Sequence, residues 1–293
     1  MSTVRPAQRG LLFLGCLLAF VRWEPAPYDL FLIIIFLLYA RGLTWKSYQL
    51  VFVVLLGPLL FTHVPALGAA LEVAPERTLY YSLVTLYLAL SSVFFMSLPE
   101  RSVPLLLLGY EVGALLSGLL GVLAFLRIPG LEDLLWGGSR AVAFFKDPNV
   151  FGAFLIPALF LALARLEQGR KFWILPALIL FLGVLVSLSR GAWANFAVAL
   201  LAWWLLRPRK RIWLPLVLLT LAGGVGISVV VMPDNPIVQR LGFMPYDKER
   251  FFTQMEALSL ALTQPLGYGP GLSEIHLSYA THNTSVRVLA EVG

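Results

Sequence analysis

Long apolar runs dominate this chain and limit what it can fold into. Of its 293 residues, 59% are hydrophobic and only 13% are charged, about half the charged share of a soluble domain. Runs bounded by charges or prolines predict ten membrane segments, at 10–22, 28–40, 48–65, 78–98, 102–126, 148–165, 172–189, 191–206, 212–232 and from about 282. Because lipid offers the backbone no hydrogen bonds and the alternation of a membrane barrel is absent, we predict an all-α polytopic bundle, one transmembrane domain over 1–293.

The positions of Lys and Arg predict how the segments are oriented. The net charge of +6 is spread over many short loops, which favours membrane orientation over nucleic-acid binding. With a cytoplasmic N-terminus, the inner segments hold twelve basic residues against Glu100 and Glu167, whereas the outer segments hold nine basic and twelve acidic residues. Cytoplasmic loops carry such an excess of basic residues. We therefore expect a multi-pass membrane protein whose two long loops, 127–147 and 233–282, lie outside the cytoplasm.

The loop 233–282 is the longest polar stretch, and it contains a predicted helix at 249–262. The apolar residues of that helix form one stripe: Phe251, Met255, Leu258 and Leu262. This pattern is typical of a helix that lies on the membrane surface. Asp247 is placed to cap its start, and Pro265 ends it.

A histidine closes this loop at the entry to the last apolar segment. Thr281-His282-Asn283-Thr284 is typical of a helix start, and the helix continues through Val288. The partial positive charge of a helix N-terminus disfavours a protonated imidazole, so His282 is kept neutral and able to accept a proton. His282 is therefore the candidate general base, with Asn283 as a secondary candidate. The alternative is an interfacial histidine that only caps the helix.

Two arginines are predicted at the outer face. Arg190 ends a membrane segment, and Gly191 after it allows a sharp turn. Arg250 begins the surface helix. The planar fork of guanidinium donors matches the oxygens of a diphosphate. With His282, the two arginines indicate a cradle for an anionic leaving group beside a base. The alternative for each arginine is a membrane anchor that extends its charge to the interface.

Asp147-Pro148-Asn149 opens the sixth segment and supplies two further candidates. Local geometry accounts for the three residues well, because Asp147 is placed to cap the helix, Pro148 suits its first turn and Asn149 closes the loop. Asp147 and Asn149 are therefore secondary site candidates for which a structural role is the stronger interpretation.

Charged residues inside the predicted segments are the basis for an alternative hypothesis about function. Glu111 lies within the fifth segment, where a carboxylate is costly unless it is paired or faces water, so it is a secondary functional candidate. Arg287 and Glu291, four residues apart, are placed to pair with each other. A membrane transporter or solute-handling protein is the alternative function, and it requires polar groups at mid-membrane. The prominent cations lie at the outer surface instead, which favours a surface site.

The residue pattern gives no support to metal or cofactor chemistry. Cys16 is the single cysteine, no His, Asp and Glu cluster has metal-ligand spacing, and no phosphate-binding loop of the Walker type is present. We therefore expect no metal, no cofactor and a metal-independent reaction.

Four stretches of the chain, in their order and spacing, resemble the O-antigen ligase and polymerase family of bacterial envelope enzymes. They are FFKDPNVFGAFLIPALFLAL at 144–163, LSRGAWANFAVALL at 188–201, ERFFTQMEALSLALTQPLGYGPG at 249–271 and THNTSVRVLAEVG at 281–293. Residues 1–140 resemble the family only in their pattern of segments. The family continues beyond this point with further membrane helices, so we expect the chain to be a truncated fragment whose activity depends on the longer form.

The resemblance implies a function as well as a fold. Members of this family transfer glycans from undecaprenyl diphosphate to lipid A core, a growing polysaccharide or another envelope acceptor, on the outer face of the bacterial inner membrane. The resemblance implies that Arg190 and Arg250 hold the diphosphate, that His282 takes the proton of the acceptor hydroxyl, and that the anomeric carbon is inverted. Ligases and polymerases share these motifs, so both remain open. The expected partners are a lipid-linked glycan, a lipid or glycan acceptor and membrane lipids.

Overall fold

The computed structural model describes residues 6–39, 43, 46–206, 245–277 and 284–292. Over these residues it has eleven α-helices: α1 Pro6–Leu17, α2 Pro27–Tyr39, α3 Ser47–Val73, α4 Pro75–Ser97, α5 Val103–Phe125, α6 Pro148–Glu167, α7 Ile174–Val186, α8 Arg190–Leu206, α9 Pro245–Thr263, α10 Ser273–His276 and α11 Thr284–Val292. Two short strands, β1 Leu135–Trp136 and β2 Arg140–Ala141, pair antiparallel. The chain divides into two compact units: the first is Met1–Arg41 with Glu100–Gly242, and the second is Gly42–Pro99 with Phe243–Gly293.

The mainly helical fold agrees with the sequence prediction. A helix occupies each of the first eight predicted segments, and the ninth, 212–232, lies outside the described residues. Three stretches of the described chain are long and apolar enough to cross a membrane: Pro75–Ser97, Glu100–Phe125 and Pro148–Glu167. The full count of ten segments and the single transmembrane domain stay predictions.

In the first unit, α1 and α5 cross closely at glycines. A Cβ atom added to Gly109 would overlap the carbonyl oxygen of Leu12, and one added to Gly113 would lie 2.6 Å from the carbonyl oxygen of Cys16. Small residues four apart let two helix backbones approach closely, which is how helices associate within lipid. Both helices advance in the same direction along this contact, so α1 and α5 run parallel.

The core of the first unit continues through α6, α7 and α8, where apolar side chains such as Phe151, Leu155 and Leu180 are buried. Tyr110 of α5 inserts its hydroxyl into α6, where it donates to the carbonyl of Phe154 and accepts from the amide of Ala158 at 3.2 Å. These two backbone groups would normally bond to each other in an α-helix. Because Pro157 stands in the same turn, the tyrosine satisfies backbone groups in a weakened part of α6.

In the second unit, α3 and α4 form an antiparallel hairpin. Gln49 Nε2 lies 2.6 Å from Ser97 Oγ, so the start of α3 is bonded to the end of α4. At the other end, only Ala74 separates the two helices. The helix α3 thus extends beyond the predicted membrane segment 48–65, through an alanine-rich stretch to Val73. Pro75 then begins α4, in the first helical position that proline favours.

The rest of the second unit packs around α9 and α11. Ala257, Leu277 and Ala290 form a small buried cluster there. The apolar stripe predicted on the surface helix lies outside this cluster, and its members Phe251 and Leu262 are 61% and 84% exposed. That exposure supports a helix lying on a lipid surface. The helix begins at Pro245, earlier than predicted, so Asp247 lies within its first turn and does not cap it.

Candidate functional site

The loop between α5 and α6 is ordered around the short strand pair. After β2 the chain runs through the buried residues Val142 and Ala143, and the amide of Val21 donates to the carbonyl of Phe144 at 3.1 Å. The loop is thereby joined to the segment that follows α1. As a result, Arg140, the first residue of β2, is brought beside the start of α6.

The start of α6 is built by the Asp-Pro-Asn motif, as the sequence predicts. Asp147 is the N-cap, and its carboxylate oxygen accepts a hydrogen bond of 2.6 Å from the amide of Asn149. Pro148 occupies the first helical position and is buried. The Asn149 residue is exposed, and its side chain makes contacts outside α6.

A buried turn of three residues joins α7 to α8. Ser187, Leu188 and Ser189 are all buried, and Leu188 has a φ of +48°, in the left-handed region. Ser189 Oγ accepts a 3.2 Å hydrogen bond from the amide of Ala192, which caps the N-terminus of α8. The sequence prediction placed the sharp turn at Gly191, but the structure places it at Leu188. Since Ser189 supplies the cap, the helix begins with the next residue, Arg190.

Asn149 connects the two helix starts and the strand pair. Its Oδ1 accepts hydrogen bonds from Ser189 Oγ at 2.8 Å and from Arg140 Nη2 at 3.1 Å. Arg140 Nε also donates to the carbonyl of Ser187 at 3.2 Å. We call these residues, Arg140, Asn149, Ser187 and Ser189, the Arg140 network. Arg140 was not among the predicted site residues, although the unusual length of the loop 127–147 was a signal that this loop does more than turn.

The start of α8 and the Arg140 network together favour an anion. Arg190 is the first residue of α8 and is half-buried. The bond between Ser189 and Asn149 holds the N-termini of α6 and α8 close together. The Asp147 carboxylate offsets the partial positive charge at the start of α6, whereas the start of α8 is capped by a neutral hydroxyl. Helix N-termini of this kind attract phosphate and other anions, and the positive charges of Arg140 and Arg190 add to that field. Lys146, by contrast, forms an exposed ion pair with Glu24.

The other principal site residues predicted from the sequence belong to the second unit. Arg250 is the sixth residue of α9, near its start, and is half-buried. His282 and Asn283 lie outside the described residues, and the helix predicted after them begins at Thr284. Arg190 belongs to the first unit and Arg250 to the second, so the predicted cradle of two arginines and a histidine stays a prediction.

A glycine-rich loop after α9 packs against the end of α3 and the start of α4. Gly269 has a φ of +104°, and a Cβ atom there would overlap the side chain of Ala70 and lie 2.9 Å from the carbonyl of Ala66. Gly271 has a φ of +77°, and its carbonyl accepts a 2.7 Å hydrogen bond from Arg77 Nε. Glycine suits both the backbone conformation and the close approach at these positions.

The same loop is bonded to the last helix. The amides of Tyr268 and Gly269 donate to the carbonyls of Ala290 and Glu291 at 3.0 and 2.9 Å. The carboxylate of Glu291 accepts a 2.6 Å hydrogen bond from Ser273 Oγ. These bonds join the chain on both sides of the segment 278–283.

The predicted pairing of Arg287 with Glu291 is replaced by other contacts. Glu291 is buried and bonds to Ser273, whereas the guanidinium of Arg287 lies 5.3 Å from the ring centre of Tyr81. The glycine-rich loop brings Ser273 within reach of Glu291, an approach that helical spacing alone does not reveal.

Glu111 has a partner that the sequence did not identify. Its side chain is 4% exposed, and Oε2 lies 2.6 Å from Arg165 Nη2. The guanidinium of Arg165 also lies 4.1 Å from the ring centre of Trp173. Arg165 stands eighteen residues after Asp147, about 27 Å along α6 at 1.5 Å per residue, so Glu111 is remote from the Arg140 network. This pairing supports a structural role for Glu111 and does not favour the transport hypothesis.

The described chain is mainly helical, and its three candidate spans are those expected of a membrane protein. Residues 175–293 match the family model described as O-antigen ligase, which confirms the resemblance over this part of the chain. The matched region contains Arg190, Arg250 and His282. No curated protein and no solved structure matches the chain. The family implies, in general terms, a role in polysaccharide synthesis with a lipid-linked glycan and an acceptor as partners.

Proposed function

We propose that this protein transfers a glycan from an undecaprenyl-diphosphate-linked donor to an acceptor hydroxyl on the outer face of the bacterial inner membrane. The acceptor is lipid A core, a growing polysaccharide or another envelope molecule. The observation that carries this proposal is the O-antigen ligase family match, which spans all three principal site residues.

Arg190 and Arg250 hold the diphosphate in this proposal. The position of Arg190 supports its role, because it stands at the start of α8 beside the start of α6, where the local field favours an anion. A guanidinium also presents parallel donors that match two phosphate oxygens. As the bond to the sugar breaks, negative charge grows on the departing diphosphate, and both arginines stabilise it.

His282 acts as the general base. The start of α11 at Thr284 supports this role, because the positive end of a helix nearby keeps an imidazole neutral. The acceptor oxygen attacks the anomeric carbon as its proton moves to His282, and the bond between that carbon and the diphosphate oxygen breaks. One displacement inverts the anomeric carbon and releases undecaprenyl diphosphate.

Replacing the histidine tests this chemistry. We expect His282→Ala to abolish glycan transfer while expression and membrane insertion remain normal, because the acceptor hydroxyl loses its proton acceptor. Cells lacking the gene are complemented with wild-type or variant forms, and their glycans are compared by gel. His276→Ala is the matched control, since His276 is an exposed histidine of the same loop. Wild-type glycans in the His282→Ala strain would refute the base assignment.

Gene deletion separates the two activities that the family contains. Loss of all long glycans attached to lipid or protein indicates a ligase, whereas single attached repeat units indicate a polymerase. Glycans that are unchanged in the deletion strain contradict the proposed function.

A further inference from the structure

We propose that Arg140 is a positioning residue for Arg190, acting through the Arg140 network. This inference rests on the proposed function, because it assumes that Arg190 contacts the donor diphosphate. Arg140 precedes the region that matches the family model, which begins at residue 175. Its role follows from contacts that the fold creates.

Arg140 bonds to both the turn before α8 and the start of α6. Its Nε donates to the carbonyl of Ser187, and its Nη2 donates to the side chain of Asn149. Both nitrogens belong to one rigid guanidinium plane, so the two acceptors are held at a set separation. A lysine has one flexible ammonium group in place of this plane.

Asn149 passes this restraint to the cap of α8. Ser189 Oγ donates to Asn149 Oδ1 at 2.8 Å and accepts from the amide of Ala192 at 3.2 Å. The hydroxyl is therefore oriented on one side by α6 and on the other by α8. Arg190 follows Ser189 directly, so the direction of its side chain depends on this cap.

The turn itself needs external support. Leu188 has a φ of +48°, a conformation that is unfavourable for a residue with a side chain. Such a conformation persists only when surrounding contacts maintain it. Arg140 bonds to Ser187, the neighbour of Leu188, and Asn149 bonds to Ser189, the neighbour on its other side. The network thus holds the backbone on both sides of the strained residue.

Hydrogen exchange tests the structural half of the inference. We expect Arg140→Gln to increase deuterium uptake in a peptide covering 185–193, because the turn loses its bond at Ser187. Arg127→Gln is the matched control, an exposed arginine of the same loop, and it should leave uptake unchanged. Arg140→Lys, a milder change, should give an intermediate increase. Unchanged uptake in Arg140→Gln overturns the inference.

A double-mutant cycle tests the functional half. We expect Arg140→Gln to lower the rate of glycan transfer about tenfold to a hundredfold, the size of effect that a displaced binding group produces. In an Arg190→Gln background the same change should have little further effect, because the residue that it positions is gone. Equal losses in both backgrounds overturn the inference, since they indicate general destabilisation.

The exchange experiment and the double-mutant cycle together distinguish failure of this inference from failure of the proposed function. If the wild-type protein shows no glycan transfer, or if Arg190→Gln retains full activity, the proposed function or its site fails. The exchange measurement still decides whether Arg140 holds the turn before α8. If transfer is confirmed and Arg140→Gln retains the wild-type rate, only the positioning role is refuted.

Discussion

At the scale of single residues, the buried pair of Glu111 and Arg165 shows how a partner changes the interpretation of a charge. A carboxylate within an apolar helix suggests a functional group, because an unpaired charge is costly there. Once Arg165 lies 2.6 Å away, that cost is offset within the protein. Removing one partner of such a pair leaves the charge of the other buried and uncompensated, whereas removing both partners leaves no buried charge.

We therefore expect Arg165→Met to lower the free energy of unfolding by roughly 3 kcal/mol, because Glu111 is left buried without its partner. The double variant Glu111→Leu with Arg165→Met should recover most of the loss. Thermal unfolding in detergent measures both, and Arg170→Met, at an exposed arginine, is the control. A double variant that is no more stable than Arg165→Met would contradict the structural role of the pair.

At the scale of elements, the packing of α1 on α5 depends on glycines that the apolar pattern does not distinguish from other small residues. Gly109 and Gly113 face α1 so closely that a methyl group has no space. Gly68, in α3, has open space around its Cα atom, although it also lies in a helix. Replacing glycine with alanine is therefore expected to have opposite effects on stability at Gly109 and at Gly68.

We expect Gly109→Ala to lower the free energy of unfolding by about 1–3 kcal/mol, because α1 and α5 must separate to accommodate the new methyl group. Gly68→Ala should leave stability unchanged or raise it, since alanine favours a helix. Thermal unfolding of both variants measures the difference. Equal stability of the two variants would show that the helices do not cross at this glycine.

At the scale of the whole molecule, the distribution of charge predicts which face of the membrane each loop occupies. The loop 127–147 is expected outside the cytoplasm, and the connection after α6 inside. The structure of the first unit agrees with this alternation, because the loop 127–147 and the turn at 187–189 bond to each other. The charges alone predict which of the two membrane faces the loop and the turn share.

Cysteine labelling measures that orientation. In a Cys16→Ser background, we expect Ser139→Cys to react with a membrane-impermeant maleimide added to cells whose outer membrane has been opened, since Ser139 is exposed in the loop 127–147. Gln168→Cys, exposed after α6, should react only after the inner membrane is permeabilised. The reverse pattern would place Arg190 on the cytoplasmic face and refute the proposed site of transfer.

The site was predictable only in part. Asp147 caps α6 as the local motif predicts, and Arg190 begins α8, close to its predicted place at the end of a membrane segment. Arg140 was missed because an arginine in a polar loop has no local signature, and its contacts involve residues nine and forty-seven positions away. The extension of α3 to Val73 was not predicted, because alanines and glycines after an apolar run are as typical of a loop as of a continuing helix.

The sequence by itself determined that the chain is helical and suited to a membrane, because apolar runs and the backbone's need for hydrogen bonds are properties of each segment alone. Its motifs also carried the resemblance to the family whose model matches residues 175–293. The tertiary structure decided which side chains meet: Arg140 with Asn149 and Ser187, Glu111 with Arg165, and Ser273 with Glu291. These pairs form between residues that lie apart in the sequence, and only the packing of the helices and loops brings them within bonding distance.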